Sequence, residues 1–198
     1  MSRTIYIITH PNVVIDPNVP ITQWPLSETG RARMECMLQQ PWVGGITAVY
    51  ASTEQKAIDG AVILADHLKL PYETMEALGE IDRSSTGYLP REEHDETAVL
   101  CFTNPHKSIR GWEPANSAQQ RMVKAVNAII AKDKTKTNGA IGIVTHGAVA
   151  TFLLCHLQNI PIAAEHDQPP TSGGNYFCFD AATKHVEHGW KQIDDISR

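Results

Sequence analysis

Two kinds of hydrophobic pattern alternate along the chain. Short continuous runs rich in β-branched residues cover residues 5–8 (Ile-Tyr-Ile-Ile), 46–52 (Ile-Thr-Ala-Val-Tyr-Ala-Ser) and 140–144 (Ala-Ile-Gly-Ile-Val). Such runs, bounded by polar or turn-forming residues, predict buried strands. A shorter strand is expected near residues 72–75, and two final strands in "NYFCFDAATKHVEHGWKQID", around its Ala-Ala-Thr turn. Between the runs, apolar residues recur at helical spacing. Residues 28–39 predict a helix with Ser27 as N-cap, and residues 53–68 a second with Ala57, Ala61, Leu64, Ala65 and Leu68 on one face. Residues 117–134 predict an amphipathic helix capped by Ser117, and a last helix follows Thr145-His146-Gly147. Residues 11–25 carry Pro11, Pro17, Pro20 and Pro25 and read as a long irregular connection. Residues 81–115 are polar, contain proline and show no clear period.

Strands alternating with helices predict an α/β fold: a three-layer sandwich with a mostly parallel central sheet and helices on both faces. With no internal repeat and no linker, residues 1–198 are expected to form one domain. In such sheets ligands bind outside the carboxyl ends of the strands. Polar residues stand at three of those ends: Thr9-His10, Ser52-Thr53 and Thr145-His146.

The bulk composition narrows the function. Of the 198 residues 42% are apolar and 20% charged, with a net charge of −5, which gives no support to a nucleic-acid partner. An anionic substrate would have to be drawn in by local positive charge. Cys36, Cys101, Cys155 and Cys178 are too scattered for a CxxC motif and read as small buried hydrophobes. The N-terminus lacks a signal-peptide pattern, and no apolar run is long enough to span a bilayer, so a cytoplasmic protein with no membrane partner is expected. Oligomeric state is not legible.

Two histidines at equivalent strand ends, His10 and His146, suit phosphoryl chemistry, one imidazole as nucleophile and the other stabilising charge on the transferred group. Lys56, one helical turn beyond Ser52-Thr53, can reach the same crevice. The helix beginning at Gly147 directs free N–H groups at the strand end, a ready anion site. A carboxylic acid at Glu80 could protonate a leaving oxygen. Taken singly, each is ordinary: a turn histidine, a solvated lysine, a loop carboxylate. The other histidines, His67, His94, His106, His156, His166, His185 and His188, form no HxH or HExxH pattern, and no metal or other cofactor is expected. The Gly-rich Thr171-Ser-Gly-Gly-Asn175 does not join a strand to a helix and reads as a turn, not a phosphate loop.

The order of these features resembles the histidine phosphatase superfamily, with its phosphoglycerate-mutase-like fold. "IYIITHPNV" stands where that family has a strand running into Arg-His-Gly. "PLSETGRAR" resembles its Pro-Leu-Thr-x-x-Gly helix start, and "VYASTEQKAIDGAVILAD" its Ser-Ser-Pro-x-x-Arg-Ala segment. "LGEID" resembles the segment with the acid, "GWEPANSAQQRMVKAV" the Gly-Glu-Ser segment, and "GIVTHGAVATFLL" the Val-x-His-Gly segment. The resemblance implies His10 as the phosphorylated nucleophile, His146 as the second pocket histidine and Glu80 as proton donor. Thr9, Lys56, Asn12 and Gly147 are then the expected substrate-binding residues, and a small phosphorylated molecule the expected substrate.

Three departures stand out: Thr9 and Lys56 replace arginines, and Pro11 replaces the glycine. Lysine offers a point charge where arginine offers a planar fork. Losing one preorganised donor typically costs ~10²–10³ in rate. Arg83, Arg91 and Arg110 are the candidates for a replacement cation. Two readings follow. One is a phosphomonoester hydrolase working through a phosphohistidine with weakened activity. The other is a catalytically impaired phosphatase fold acting as a phospho-ligand binding or regulatory module. A mutase, which needs a strongly cationic pocket, fits less well.

Overall fold

The computed structural model describes residues 3–133 and 139–196. The predicted strands form one six-stranded sheet. β1 (Thr4–Thr9), β2 (Ile46–Ala51), β3 (Tyr72–Thr74), β4 (Ala140–Thr145), β5 (Asn175–Asp180) and β6 (Val186–Gln192) lie in the order β3-β2-β4-β1-β5-β6. The first four in that order are mutually parallel, and β5 and β6 add antiparallel at one side, so the sheet is mixed but mostly parallel. In β1, successive residues Ile7 and Ile8 are both buried, Ile7 in the core under one sheet face and Ile8 in the core under the other. A strand covered on both faces must be continuously apolar, as the sequence runs are.

The helices supply the two outer layers. α1 (Glu28–Met37) and α2 (Gln55–Leu68) bury Met34, Met37 and Leu64 against Ile8, Val49 and Val144. On the other face, α4 (Ala115–Asp133) and α5 (Gly147–Gln158) bury Met122, Ile129 and Phe152 against Ile5, Ile7, Ile141 and Ile143. Ser27 caps α1 as expected, its hydroxyl accepting from the Gly30 N–H at 3.1 Å.

The structure departs from the sequence reading in two elements. A 13-residue helix, α3 (Arg91–Thr103), lies inside the stretch that showed no period. It buries only Thr97, Cys101 and Phe102, too narrow a stripe to register as an amphipathic pattern. Ser117 is not the cap of α4. That helix starts two residues earlier, because the Pro114 carbonyl already accepts the N–H groups of Ser117 and Ala118. Lys134, the last residue of the predicted helix, lies outside the described residues. No helix among the described residues is long and apolar enough to cross a membrane.

The long connection after β1 stays irregular apart from a 3-10 turn at Ile21–Gln23. It is pinned by the Trp24 indole, which donates to the carbonyls of Asp16 at 2.9 Å and Val19 at 3.1 Å. Its Ile21 carbonyl accepts from Lys56 in the first turn of α2, which holds the loop beside the segment that follows β2.

Candidate active site

β1 and β4 pair in parallel with Thr9 opposite Thr145, so the next residues, His10 and His146, leave the sheet side by side. Their ring centroids are 5.1 Å apart at an interplanar angle of 69°. His10 Nδ1 lies 2.9 Å from the Pro11 carbonyl. A carbonyl only accepts, so Nδ1 holds the hydrogen and Nε2 keeps its lone pair. Burial and the nearby Lys56 charge lower the His10 pKa to about 4, against the pull of the Pro11 bond. The imidazole is neutral at pH 7, the form a nucleophile needs.

His146 is fully buried and occupies the N-cap position of α5. Its Nε2 shares a 2.8 Å hydrogen bond with the Ser52 hydroxyl at the end of β2 and lies 3.3 Å from Glu54 Oε1. Burial, then the neighbouring His10, hold its pKa well below the ordinary value. Its Nδ1 is buried with no hydrogen-bond partner. An unsatisfied buried ring nitrogen costs about 1–3 kcal/mol, so a ligand atom placed to satisfy it gains that amount.

Lys56, on the first turn of α2, is buried, with its ammonium donating to the Ile21 carbonyl at 2.8 Å and paired with Glu54. Burial pulls the Lys56 pKa down, and Glu54 pushes it back up. Glu80 lies after the 3-10 turn Glu76–Leu78. One carboxyl oxygen accepts from the Ile81 N–H at 2.9 Å and the other from the Ala148 N–H at 3.3 Å. Burial raises its pKa, and the Arg83 charge opposes the shift. A carboxyl pushed upward is suited to carry a proton for a leaving group.

Two expected ligand contacts are used differently. Thr9 is fully buried, and its hydroxyl is consumed within the fold: it donates to Gln168 Oε1 at 2.8 Å and accepts the Asn175 N–H at 3.0 Å. It pins β5 to β1, and an arginine there would have to displace Gln168. In the first turn of α5 the Ala148 N–H is taken by Glu80. Gly147 leaves room for the Gln168 amide, since a Cβ there would lie 2.2 Å from Gln168 Nε2 and push that side chain aside. Asn12 sits beside α1 with its side-chain oxygen accepting from Arg33 at 3.1 Å.

Of the three candidate arginines, Arg83 is the one whose charge acts on His10, His146, Lys56 and Glu80. It is hydrogen-bonded to His94 Nε2 and stacks 5.9 Å from the Trp112 ring. Arg91 and Arg110 instead pair with Asp95 and Glu93 on the exposed side of α3. The sequence reading missed two residues. Arg121, from α4, donates to the carbonyls of Ala77, Gly79 and Glu80 at 2.9–3.0 Å and pairs with Glu113, which fixes the backbone that presents Glu80. Glu54 occupies a position that the motif pattern leaves open, so no local signal marked it. Beside these groups opens a cleft of about 990 Å³, walled by Ile21, Glu54, Glu80, Arg83, Trp112 and Arg121 among others. Among the described residues no group of three or more His, Cys, Asp or Glu is arranged to hold a metal ion.

No curated protein matches the chain by sequence. Among solved structures, a mycobacterial glucosyl-3-phosphoglycerate phosphatase superposes with a TM-score of 0.74 at 15% identity, covering 96% of this chain and 97% of that one. YhfR of Bacillus stearothermophilus gives 0.73 at 22% identity, with 98% of both chains covered. A phosphoglycerate mutase from Bacillus anthracis gives 0.67 at 15% identity, with 97% and 94% covered. At these identities the likeness establishes the phosphoglycerate-mutase-like fold. The family model of the histidine phosphatase superfamily (branch 1) matches residues 19–175, and the chain belongs to that superfamily.

Proposed function

We propose that the chain is a phosphomonoester hydrolase that works through a phosphohistidine at His10, on a small phosphorylated substrate. The observation that carries this reading is the state of His10: neutral, Nδ1 fixed on the Pro11 carbonyl, and Nε2 free beside His146. In the first step Nε2 attacks phosphorus and the bond from phosphorus to the ester oxygen breaks. Glu80 delivers its proton to that oxygen, and the alcohol leaves. In the second step water attacks the phosphohistidine, Glu80 takes the proton, and inorganic phosphate leaves with His10 restored. His146 Nδ1 and Arg83 are the groups at hand for the phosphoryl oxygens, whose charge grows in the transition state. No step calls for a cofactor.

A second reading has an observation of its own. Thr9 is consumed by Gln168 and Asn175, and Lys56 is paired with Glu54, so the pocket is short of free donors. That favours slow turnover, or a module that binds a phosphorylated ligand without processing it. A panel of phosphomonoesters with wild type and His10→Ala decides between them. Hydrolysis by wild type, loss in His10→Ala, and an acid-labile label caught by alkaline quench support the hydrolase. Glu80→Gln should slow phosphohistidine formation from esters with poor leaving groups by about 10²-fold or more and spare its formation from good ones. Equal hydrolysis by His10→Ala would remove the nucleophile from the proposal.

A further inference from the structure

We propose that Glu54 is the specificity-determining residue of this pocket: its carboxylate is a resident counter-anion that removes the preference a phosphoryl site would otherwise have for groups carrying two negative charges over those carrying one. The proposal rests on the phosphoryl reading of the site and names the ionic forms of the ligand it takes.

The contacts of Glu54 are those that a bound anion would make. One oxygen pairs with the Lys56 ammonium. The other accepts the Glu80 backbone N–H at 2.9 Å and lies 3.3 Å from His146 Nε2. An ammonium and a backbone N–H thus converge on one carboxylate beside the His146 ring, between the two side chains that a phosphoryl group would use. The local backbone directs it there. Glu54 is the N-cap residue of α2, with extended φ −78° and ψ 139°, yet its side chain makes no capping bond to its own helix. The helix start is served instead by the Glu54 carbonyl, which accepts the N–H groups of Ala57 and Ile58. The side chain, only 11% exposed, is left to the pocket.

The charge balance removes the preference. Lys56 and Glu54 cancel at short range, so the lysine no longer distinguishes a dianion from a monoanion. Coulomb repulsion scales with the product of charges, so Glu54 opposes a dianion twice as strongly as a monoanion in the same seat. Arg121 adds little free charge, being bound to Glu113 and three carbonyls. Arg83 remains, and Glu80 stands opposite it. The second negative charge of a phosphomonoester therefore gains nothing here, unlike in a pocket with two unpaired arginines.

Two probes of nearly the same shape differ by that one charge: methyl phosphate, a dianion at about pH 8 because its second pKa is near 6, and methyl sulfate, a monoanion. Calorimetric titration of wild type should give dissociation constants within about threefold of each other. Glu54→Gln keeps an acceptor for the Glu80 N–H and frees Lys56. There methyl phosphate should tighten by about tenfold or more, with methyl sulfate gaining clearly less. A wild type that already prefers methyl phosphate by about tenfold, or a Glu54→Gln protein with an unchanged ratio, overturns the proposal. If Glu54→Gln does not fold, the wild-type pair of titrations decides alone. Binding of neither probe to either protein overturns the phosphoryl reading as well. A wild type that hydrolyses phosphomonoesters through His10 but shows the wrong charge preference sinks only the role of Glu54.

Discussion

Both imidazoles in the site are held neutral by burial, and this couples them to stability. His10 titrates at about 4 in the fold, against an ordinary 6.5. The unfolded chain therefore binds more protons between those values, so stability rises with pH there. The contribution of His10 is complete above about pH 6.5 and is lost as pH falls toward 4, amounting to roughly 3 kcal/mol at most. His146 shifts in the same direction. Glu80 works against them, because its raised carboxyl is costly when charged and is relieved as acid is added. Urea unfolding of wild type from about pH 7.5 down to 4.5 should show falling stability, and His10→Asn a shallower fall. Equal slopes in the two proteins would mean that His10 is not the buried neutral group described here.

At the scale of elements, the Thr171–Asn175 turn shows how a segment without chemistry of its own can serve the site. Gly173 and Gly174 both adopt positive φ, 76° and 66°. The Gly174 N–H donates to the His10 carbonyl at 3.1 Å, and a Cβ on Gly173 would lie 2.1 Å from that same oxygen. Gly173→Ala thus meets a backbone penalty and a clash with the His10 carbonyl. A loss of about 2–4 kcal/mol is expected, with phosphohistidine formation reduced even below the melting temperature. Stability within about 0.5 kcal/mol of wild type in a thermal melt would contradict the described turn. The sequence marked this stretch as a turn, but its grip on His10 comes from a partner more than 160 positions away and has no local signal. The same contrast runs through the fold. Strands buried on both faces and helices with a broad apolar face were legible from period alone. α3, with its narrow buried stripe, was not, and the start of α4 was misplaced because a proline carbonyl does the work expected of a serine.

Over the whole molecule, the parallel core places the chemistry and the C-terminal hairpin locks it. The convergence of His10, His146 and Lys56 was readable because each follows a strand end, and parallel pairing brings strand ends together. The use of Thr9 and Glu54 was not readable, since their partners are Gln168 and Asn175 in one case and the Glu80 backbone in the other. Arg33 is the further long-range tie. From α1 it grips Asp194 through two bonds of 2.8 and 3.1 Å and reaches the side-chain oxygen of Asn12 and the carbonyls of Thr171 and Gly174. One guanidinium thus joins the loop after His10, the turn that holds His10 and the segment beyond β6. Gly174 makes room for it, as a Cβ there would lie 2.6 Å from Arg33 Nη2. Arg33→Ala leaves those acceptors without their donor, and about 2–3 kcal/mol should be lost. Because the acceptors lie on three segments, the effect should spread. Hydrogen exchange should quicken at residues 11–14 and 171–174 as well as beyond residue 192, and phosphohistidine formation should slow. Faster exchange confined to the C-terminal residues would show that Arg33 merely anchors the segment beyond β6 and leaves the surroundings of His10 as they were.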